Sequence, residues 1–174
     1  MNDLSKNTAG YEELVNITKG WNPIGGNEVE FNGSFDGNAH EIRELFIDRS
    51  SSVGLFRTLG TGAEVTNVEL IDVDVSGEWG AGGLVGWNEG IIENSSVTGD
   101  VDGYDYVGGL VGITLNGTVK NSHSTCEVSG NNRVGGLIGG FYSGSKVINS
   151  YATGDVVGER YTEEGCVGGL IGAN

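Results

Sequence analysis

Residues 82–86 read GGLVG, and the same motif returns as GGLVG at 108–112, GGLIG at 135–139 and GGLIG at 168–172. Such a glycine-rich motif is typical either of a phosphate-binding loop or of a unit in a structural repeat. A phosphate loop needs one such turn between a strand and a helix, and GxxxxGK[ST] occurs nowhere in the chain. No copy is followed by apolar residues at helical spacing. The four copies therefore indicate a repeat.

A second motif shares the same period. Its asparagine recurs at steps of 27, 27 and 28 residues, whereas the glycine motif recurs at steps of 26, 27 and 33. The last step is longer because a polar insert, 158–165, interrupts it. Each unit of about 27 residues holds three short β-like stretches separated by turns. This pattern predicts an all-β fold, a parallel β-solenoid of about five coils whose in-register strands lie roughly 4.8 Å apart.

The asparagines of the second motif mark a corner of each coil. The residue two positions before each one is apolar, but beyond it the apolar residues fall at the third and seventh positions. A strand of period two changes parity only where it bends. Asn tolerates left-handed backbone angles, and stacked Asn side chains hydrogen-bond from coil to coil. We expect a structural corner column of Asn67, Asn94, Asn121 and Asn149.

The leucines of the glycine motif form an apolar column that we place in the core. The Val or Ile after each leucine is apolar too, although adjacent residues of a regular strand cannot both face inward. Either the glycine pair bends the strand and both columns are buried, which we favour, or the Val/Ile column is an exposed ridge. An extra residue before Val75 also predicts a β-bulge near Ile71–Asp72. The leucines are Leu84, Leu110, Leu137 and Leu170.

Composition excludes several classes of partner. The chain has 174 residues, enough for one folded domain, and a net charge of −15 with only nine Lys and Arg. Nucleic acid and anionic membranes need clustered positive charge, so neither is an expected partner. No apolar run approaches the roughly 20 residues that span a bilayer, so we expect no membrane insertion. Cys126 and Cys166 occupy different repeat positions and are predicted to be two buried thiols rather than a disulfide.

The glycine motif and the asparagine motif resemble the GLUG-motif repeats of large bacterial and archaeal surface proteins. Such repeats also occur in the non-catalytic part of immunoglobulin-A-cleaving metallopeptidases. The upstream segments WNPIGG (21–26) and FNGSFDGNAHEI (31–42) resemble the lead-in of such repeats, with Ala39 where a Gly is usual. The resemblance implies an extracellular, right-handed β-helix that is one part of a longer protein. We predict an N-terminal cap and lead-in over 1–30, including a short helix over 11–17, and a solenoid over 31–174 within one folded domain.

The sequence contains no complete catalytic motif among those considered. The string nearest to a zinc site, HEIRE from His40, lacks the second His of HExxH and has the parity of a strand with Ile42 inward. His123, the only other histidine, belongs to another coil, so zinc and Ser-His-Asp sites are improbable. We expect no enzyme activity and no catalytic or cofactor-binding residues.

An outward acidic column is the remaining candidate site. Like charges stacked at roughly 4.8 Å repel each other, so solvent screening or bound cations would stabilise them. A flat column gives little convergence for the six to eight oxygens that calcium takes. A solvated face is the favoured interpretation, and a weak calcium site is the alternative. A neighbouring threonine row is a poor match to an ice-binding array. The acidic column comprises Asp74, Asp100, Glu127 and Asp155.

The sequence therefore predicts a non-catalytic extracellular repeat module that is a structural or adhesive part of a larger cell-surface protein. Its expected partner is another cell-surface protein or a glycan. The alternatives are a carbohydrate-binding or carbohydrate-active β-helix and a calcium-stabilised spacer. An exposed concave or apolar patch distinguishes an adhesive module, which should have one, from a passive spacer, which should not.

Overall fold

The structure, a computed structural model, describes residues 15–16, 18–26, 29–159 and 165–174, and these contain β-strands and turns but no helix. In chain order the strands are β1 Val15–Asn16, β2 Gly20–Trp21, β3 Ser34–Asp36, β4 Glu41–Arg43, β5 Phe46–Arg49, β6 Phe56–Leu59, β7 Glu64–Thr66, β8 Glu69–Gly82, β9 Val85–Asn88, β10 Ile91–Glu93, β11 Ser96–Gly108, β12 Val111–Thr114, β13 Thr118–Lys120, β14 His123–Ser124, β15 Glu127–Gly135, β16 Ile138–Phe141, β17 Lys146–Ile148, β18 Tyr151–Ala152, β19 Val156–Gly158, β20 Val167–Gly168 and β21 Ile171–Ala173.

The strands form three sheets around one core. Five strands, β3, β7, β10, β13 and β17, make one sheet, and five more, β6, β9, β12, β16 and β21, make the second. The third contains the long strands β8, β11 and β15 with their shorter neighbours. Strands of successive coils pair in parallel, such as Ile92 with Val65 and Val119, and one β-bulge interrupts the register. The predicted β-solenoid of about five coils is confirmed.

The glycine motif is the turn between the third sheet and the second. Strand β8 ends at Gly82 and β9 begins at Val85, so the chain bends at Gly83–Leu84. This bend lets both apolar columns face inward: Leu84 and Val85 are each 0% exposed. Leu110, Val111, Leu137 and Ile138 are also 0% exposed. Burial of both columns, the favoured interpretation, is therefore correct, and the exposed ridge is excluded for these three coils.

The last glycine of the motif allows two backbones to touch. A Cβ added at Gly112 would lie 2.5 Å from the carbonyl carbon of Gly80, in the preceding coil. The same holds at Gly172, where it would lie 2.6 Å from the carbonyl carbon of Arg133. Real Cβ atoms do not approach backbone so closely, so the close packing of successive coils requires glycine here. The motif recurs because this contact recurs.

The core ends differently at the two ends of the stack. Leu170, in the last coil, is 37% exposed, whereas its three equivalents are covered by a coil on each side. At the other end β1 and β2 form an antiparallel pair, and β2 continues antiparallel onto β5. The predicted helix over 11–17 falls largely outside the described residues, and Val15–Asn16, the part that is described, is strand β1. None of the described residues forms a helix long and apolar enough to cross a membrane.

The predicted β-bulge is present. Val97 pairs with Leu70 and Gly99 pairs with Val73, so two residues of β8, Ile71 and Asp72, face one residue of β11. Asp72 has a left-handed backbone, with φ of 54°, and its N–H donates to the hydroxyl of Thr98 at 3.0 Å. The extra residue is thus accommodated by a local hydrogen bond to the next coil, and pairing resumes immediately after it with the register shifted by one residue.

Candidate functional site

The four predicted corner asparagines lie one above another. Their φ angles are 54°, 51°, 50° and 49°, in the left-handed region that the parity change requires. The side-chain amide of Asn94 donates to Asn67 at 3.4 Å, and that of Asn149 donates to Asn121 at 3.4 Å. Asn67 donates in turn to Asp36 at 2.9 Å. The bond from Asn67, followed by the one from the Asn38 N–H, lowers the pKa of the Asp36 carboxyl. The corner asparagines are therefore part of the scaffold.

A serine ladder beside the asparagines was not predicted. The hydroxyl of Ser95 donates to the Glu93 carbonyl at 2.9 Å and accepts the N–H of Val68, in the preceding coil, at 3.2 Å. Ser122 repeats this arrangement, donating to Lys120 at 2.8 Å and accepting the Ser95 N–H at 3.1 Å. Each hydroxyl therefore satisfies one carbonyl and one amide at the corner. The signal was available in the sequence, because Ser follows Asn in three of the four units.

The acidic column lies on the outside of the third sheet. Asp100 pairs in register with Asp74 on one side and with Glu127 on the other. Val128 pairs with Val156, which places Asp155 next to Glu127. All four carboxylates are exposed. No three His, Cys, Asp or Glu side chains among the described residues are grouped so as to hold a metal ion. The column is flat, as the register requires, and calcium binding there stays a prediction of the sequence.

The two histidines do not form a metal site. His40 precedes the short strand β4, and its N–H donates to the Gly37 carbonyl at 2.9 Å in a turn. The zinc motif needs a helix at this point, and the structure has a strand with Ile42 packed against the core. His123 lies on β14, where its ring stacks on Tyr151 of the next coil at a centroid distance of 4.8 Å. Both histidines are therefore held by contacts within the stacked coils, His40 in a turn and His123 against the ring of the next coil.

The prediction that both cysteines are buried is wrong for one of them. Cys126 is 0% exposed, as expected, and its thiol lies 3.8 Å from the Gly109 carbonyl. Cys166 is exposed. Its place in the motif, two residues before the first glycine, is the position of Gly80, Tyr106 and Arg133, which form a second corner of the coil. Both cysteines are free thiols and form no disulfide.

The repeat pattern gives no indication of the second corner. Gly80, Tyr106 and Arg133 all have left-handed backbones, with φ of 67°, 59° and 51°. No residue type is shared among the three, so the pattern carries no signal. A bulky residue in this region costs roughly 1–2 kcal/mol, and such strain is concentrated at functional sites in proteins. The left-handed backbone of Tyr106 therefore marks it as a candidate functional residue.

Tyr106 belongs to an aromatic strip, which we define as Trp87, Trp79, Tyr106 and Tyr142. The indoles of Trp79 and Trp87 stack with centroids 5.6 Å apart and planes at 24°. Tyr106 meets Trp79 edge-on at 5.5 Å, and Tyr142 follows at 6.0 Å. The hydroxyls of the two tyrosines are 2.7 Å apart, and this bond and burial raise the pKa of Tyr142 to about 12, burial being the larger cause. The strip thus runs across three coils.

Charged groups border the strip. The Arg133 guanidinium lies 4.7 Å from the centre of the Tyr106 ring and binds both carboxylate oxygens of Asp105, at 2.7 and 2.9 Å. The two indoles also line an open cleft of about 350 Å³. The indole N–H of Trp87 donates to Glu89 there at 3.0 Å. The other residues of the cleft are Glu30, Ser52, Arg57 and Thr58.

Comparison with known proteins identifies the repeat. A family model described as the GLUG motif matches residues 77–102, 103–129 and 130–157. Halomucin of Haloquadratum walsbyi is 39% identical over 116 residues, which are 63% of this chain and 1% of that protein. A protein of Evansella cellulosilytica provisionally named a Gly-rich membrane protein is 38% identical over 83 residues, 45% of this chain and 10% of its own length. The chain therefore matches only a small part of each of these relatives.

A solved structure has the same fold. It is a Bacteroides ovatus protein provisionally named an immunoglobulin A1 protease, with a TM-score of 0.78 over 99% of this chain and 53% of that one. The two sequences are 24% identical, so the similarity extends to the fold alone.

Proposed function

We propose that this chain, in which residues 77–157 are three consecutive GLUG-motif repeats, is a non-catalytic, adhesive module of a larger cell-surface protein. The repeated positions are occupied by groups that the stack itself needs. The glycines allow backbone contact, the leucines fill the core, and the asparagines and serines bond one coil to the next. Side chains at positions that vary from coil to coil are not needed by the stack, so they are the ones that can bind a partner.

The aromatic strip is the observation that carries the adhesive role. A passive spacer should present no exposed apolar patch, whereas Trp79 is 42% exposed and Tyr142 is 38% exposed on the same strip. Aromatic residues are enriched at interfaces because they bury a large area with few rotatable bonds. The names of two relatives support the surface location, since one is named halomucin and the other carries the provisional name Gly-rich membrane protein.

The absence of catalysis is proposed from the arrangement of the ionisable groups. The residues of the acidic column, such as Asp74, Asp100 and Glu127, stand side by side on one flat face. Glycosidases need two carboxylates on opposite sides of a scissile bond, separated by about 5–9.5 Å across a cleft. Neighbours on one sheet face do not flank a bond in this way. The provisional protease name of the structural neighbour adds nothing to this, because only the fold is shared.

Surface exposure can be tested on intact producing cells. An antibody raised against the folded chain should label intact cells, and external protease should remove the label without lysis. An antibody against a cytoplasmic enzyme of the same cells is the control, and it should label only after permeabilisation. Labelling of this chain only after permeabilisation would overturn the proposal. Incubation with glycans followed by detection of released sugars tests catalysis, and measurable turnover would contradict the non-catalytic assignment.

A further inference from the structure

We propose that the aromatic strip and the cleft beside it form a binding site for a neutral polysaccharide chain lying along the axis of the stack. The inference rests on the proposed adhesive function and names its ligand class. It is carried by three features: aromatic residues that the repeat does not require, a strained tyrosine that joins them, and polar groups placed next to the exposed rings.

The fold does not need aromatic residues at these positions. Trp79 pairs in register with Asp105, which pairs with Asn132 in the next coil. Trp87 likewise pairs with Ile113, and the next residue in that column is Gly140. An amide, a carboxylate, an aliphatic side chain and a glycine therefore serve the same scaffold. The two indoles are brought together because Gly80 packs on Gly86, one residue from each of them.

Tyr106 links the indoles to the next coils at a cost in backbone energy. Its equivalent in the preceding coil is glycine, which takes left-handed angles freely, whereas tyrosine at φ of 59° is strained. The ring is held by Trp79, by the Tyr142 hydroxyl and by the guanidinium of Arg133. These contacts align four rings in successive steps of 5.5 to 6.0 Å. A strip that crosses three coils suits a linear polymer better than a single sugar.

The chemistry of the site suits a sugar. One face of a pyranose ring presents C–H groups, which pack on an exposed indole, while its rim presents hydroxyls. Glu30, Glu89 and Arg57 line the cleft beside Trp79 and supply planar groups that accept or donate hydrogen bonds to such hydroxyls. The carboxylates and the net charge of −15 oppose an anionic ligand. Packing through C–H groups and hydrogen bonding through hydroxyls need no charge on the ligand, so a neutral polymer is the ligand class proposed.

The test is affinity electrophoresis of the whole chain in gels that each contain a single dissolved polymer. Neutral glucans, xylans, mannans and soluble chitin oligomers form one set, polygalacturonate and alginate are the acidic arm, and poly-lysine peptides are the cationic arm. At least one neutral polysaccharide should retard the wild type. For that ligand, Trp79→Ala and Tyr142→Ala should each raise the dissociation constant at least tenfold. Affinity should also rise with oligomer length, because the strip spans several rings.

Tyr104→Ala is the matched control. Tyr104 is 53% exposed and lines a different cleft, with Asp48 and Asp102, so its removal should change the affinity less than twofold. Thermal melts of all variants show whether a loss of binding reflects unfolding. Absence of retardation by every neutral polysaccharide, binding to the acidic or cationic arm alone, or unchanged affinity in Trp79→Ala would each overturn the inference. A chain that labels intact cells but binds no neutral glycan would fail this inference only, whereas glycan binding by an intracellular chain would fail the surface proposal only.

Discussion

Asn94 donates its side-chain amide to the side-chain oxygen of Asn67, one coil earlier, and both residues have left-handed backbones. Asparagine therefore contributes to the corner in two ways. It accepts a backbone angle that most residues avoid, and it bonds to its counterpart in the neighbouring coil. These two contributions can be separated by substitution.

Replacement of Asn94 tests the corner. Asn94→Ala should lower the free energy of unfolding by about 1–2 kcal/mol, because alanine at φ of 51° is strained and the inter-coil bond is lost. Asn94→Gly removes the bond but relieves the strain, so it should be less destabilising than the alanine variant. Urea unfolding of both variants measures the difference. Equal stability of the two would show that the left-handed backbone has no part in the choice of Asn.

The glycine motif can be tested at two equivalent positions. A Cβ at Gly136 would lie 2.9 Å from the Cβ of Ala152 and press on the backbone of Gly169, whereas a Cβ at Gly169 would have no atom within 4 Å. Gly136→Ala should therefore destabilise by roughly 1–3 kcal/mol through overpacking, and Gly169→Ala should be nearly neutral. Thermal melts of the two variants provide the comparison. A large loss at both positions would point to backbone conformation rather than close packing.

Ala39 lies with Asn38 in the turn before strand β4. Its φ is 59°, after Asn38 at 49°, so the methyl group strains the backbone. Ala39→Gly should raise the free energy of unfolding by about 1 kcal/mol, since relief of strain outweighs the extra entropy of the unfolded glycine. Ala152→Gly, in strand β18 at an ordinary backbone angle, is the control and should destabilise. A loss of stability in Ala39→Gly would contradict the strained turn.

Cys126 should make stability depend on alkaline pH. Burial raises the pKa of its thiol from 9.0 to about 11, so folding disfavours the thiolate. This contribution is present below pH 9 and is lost as the pH rises towards 11, because the unfolded chain releases the proton first. Between pH 8 and 10.5 the wild type should lose about 2 kcal/mol more than Cys126→Ala. Parallel losses in both proteins would show that other groups govern the alkaline transition.

The features that could be predicted from the sequence are those that recur in several repeats or that interrupt the repeat visibly. The Asn corner followed from a change of parity at Asn67 and its equivalents, and the bulge at Ile71–Asp72 followed from one extra residue. The second corner could not be recognised, because Gly80, Tyr106 and Arg133 share a backbone angle and no chemistry.

The aromatic strip was missed for a related reason. Trp79, Trp87, Tyr106 and Tyr142 occupy different positions within their units, so no column of the aligned repeat contains two of them. They meet only because the turn at the glycine motif folds one strand back beside another. Packing across a turn is a property of three-dimensional structure, whereas the in-register columns are a property of the period.

Disulfide trapping tests the in-register stack most directly. In a Cys126→Ala, Cys166→Ser background, Ser96→Cys and His123→Cys should close a disulfide under mild oxidation. The two residues are partners on adjacent coils, roughly 4.8 Å apart, within the range that a disulfide spans. Ser96→Cys with Tyr151→Cys, two coils apart, should remain reduced in the native monomer. Closure of the first pair alone, seen by mass spectrometry, is the predicted result, and closure of neither pair or of both at equal rates would contradict the stacked-coil structure.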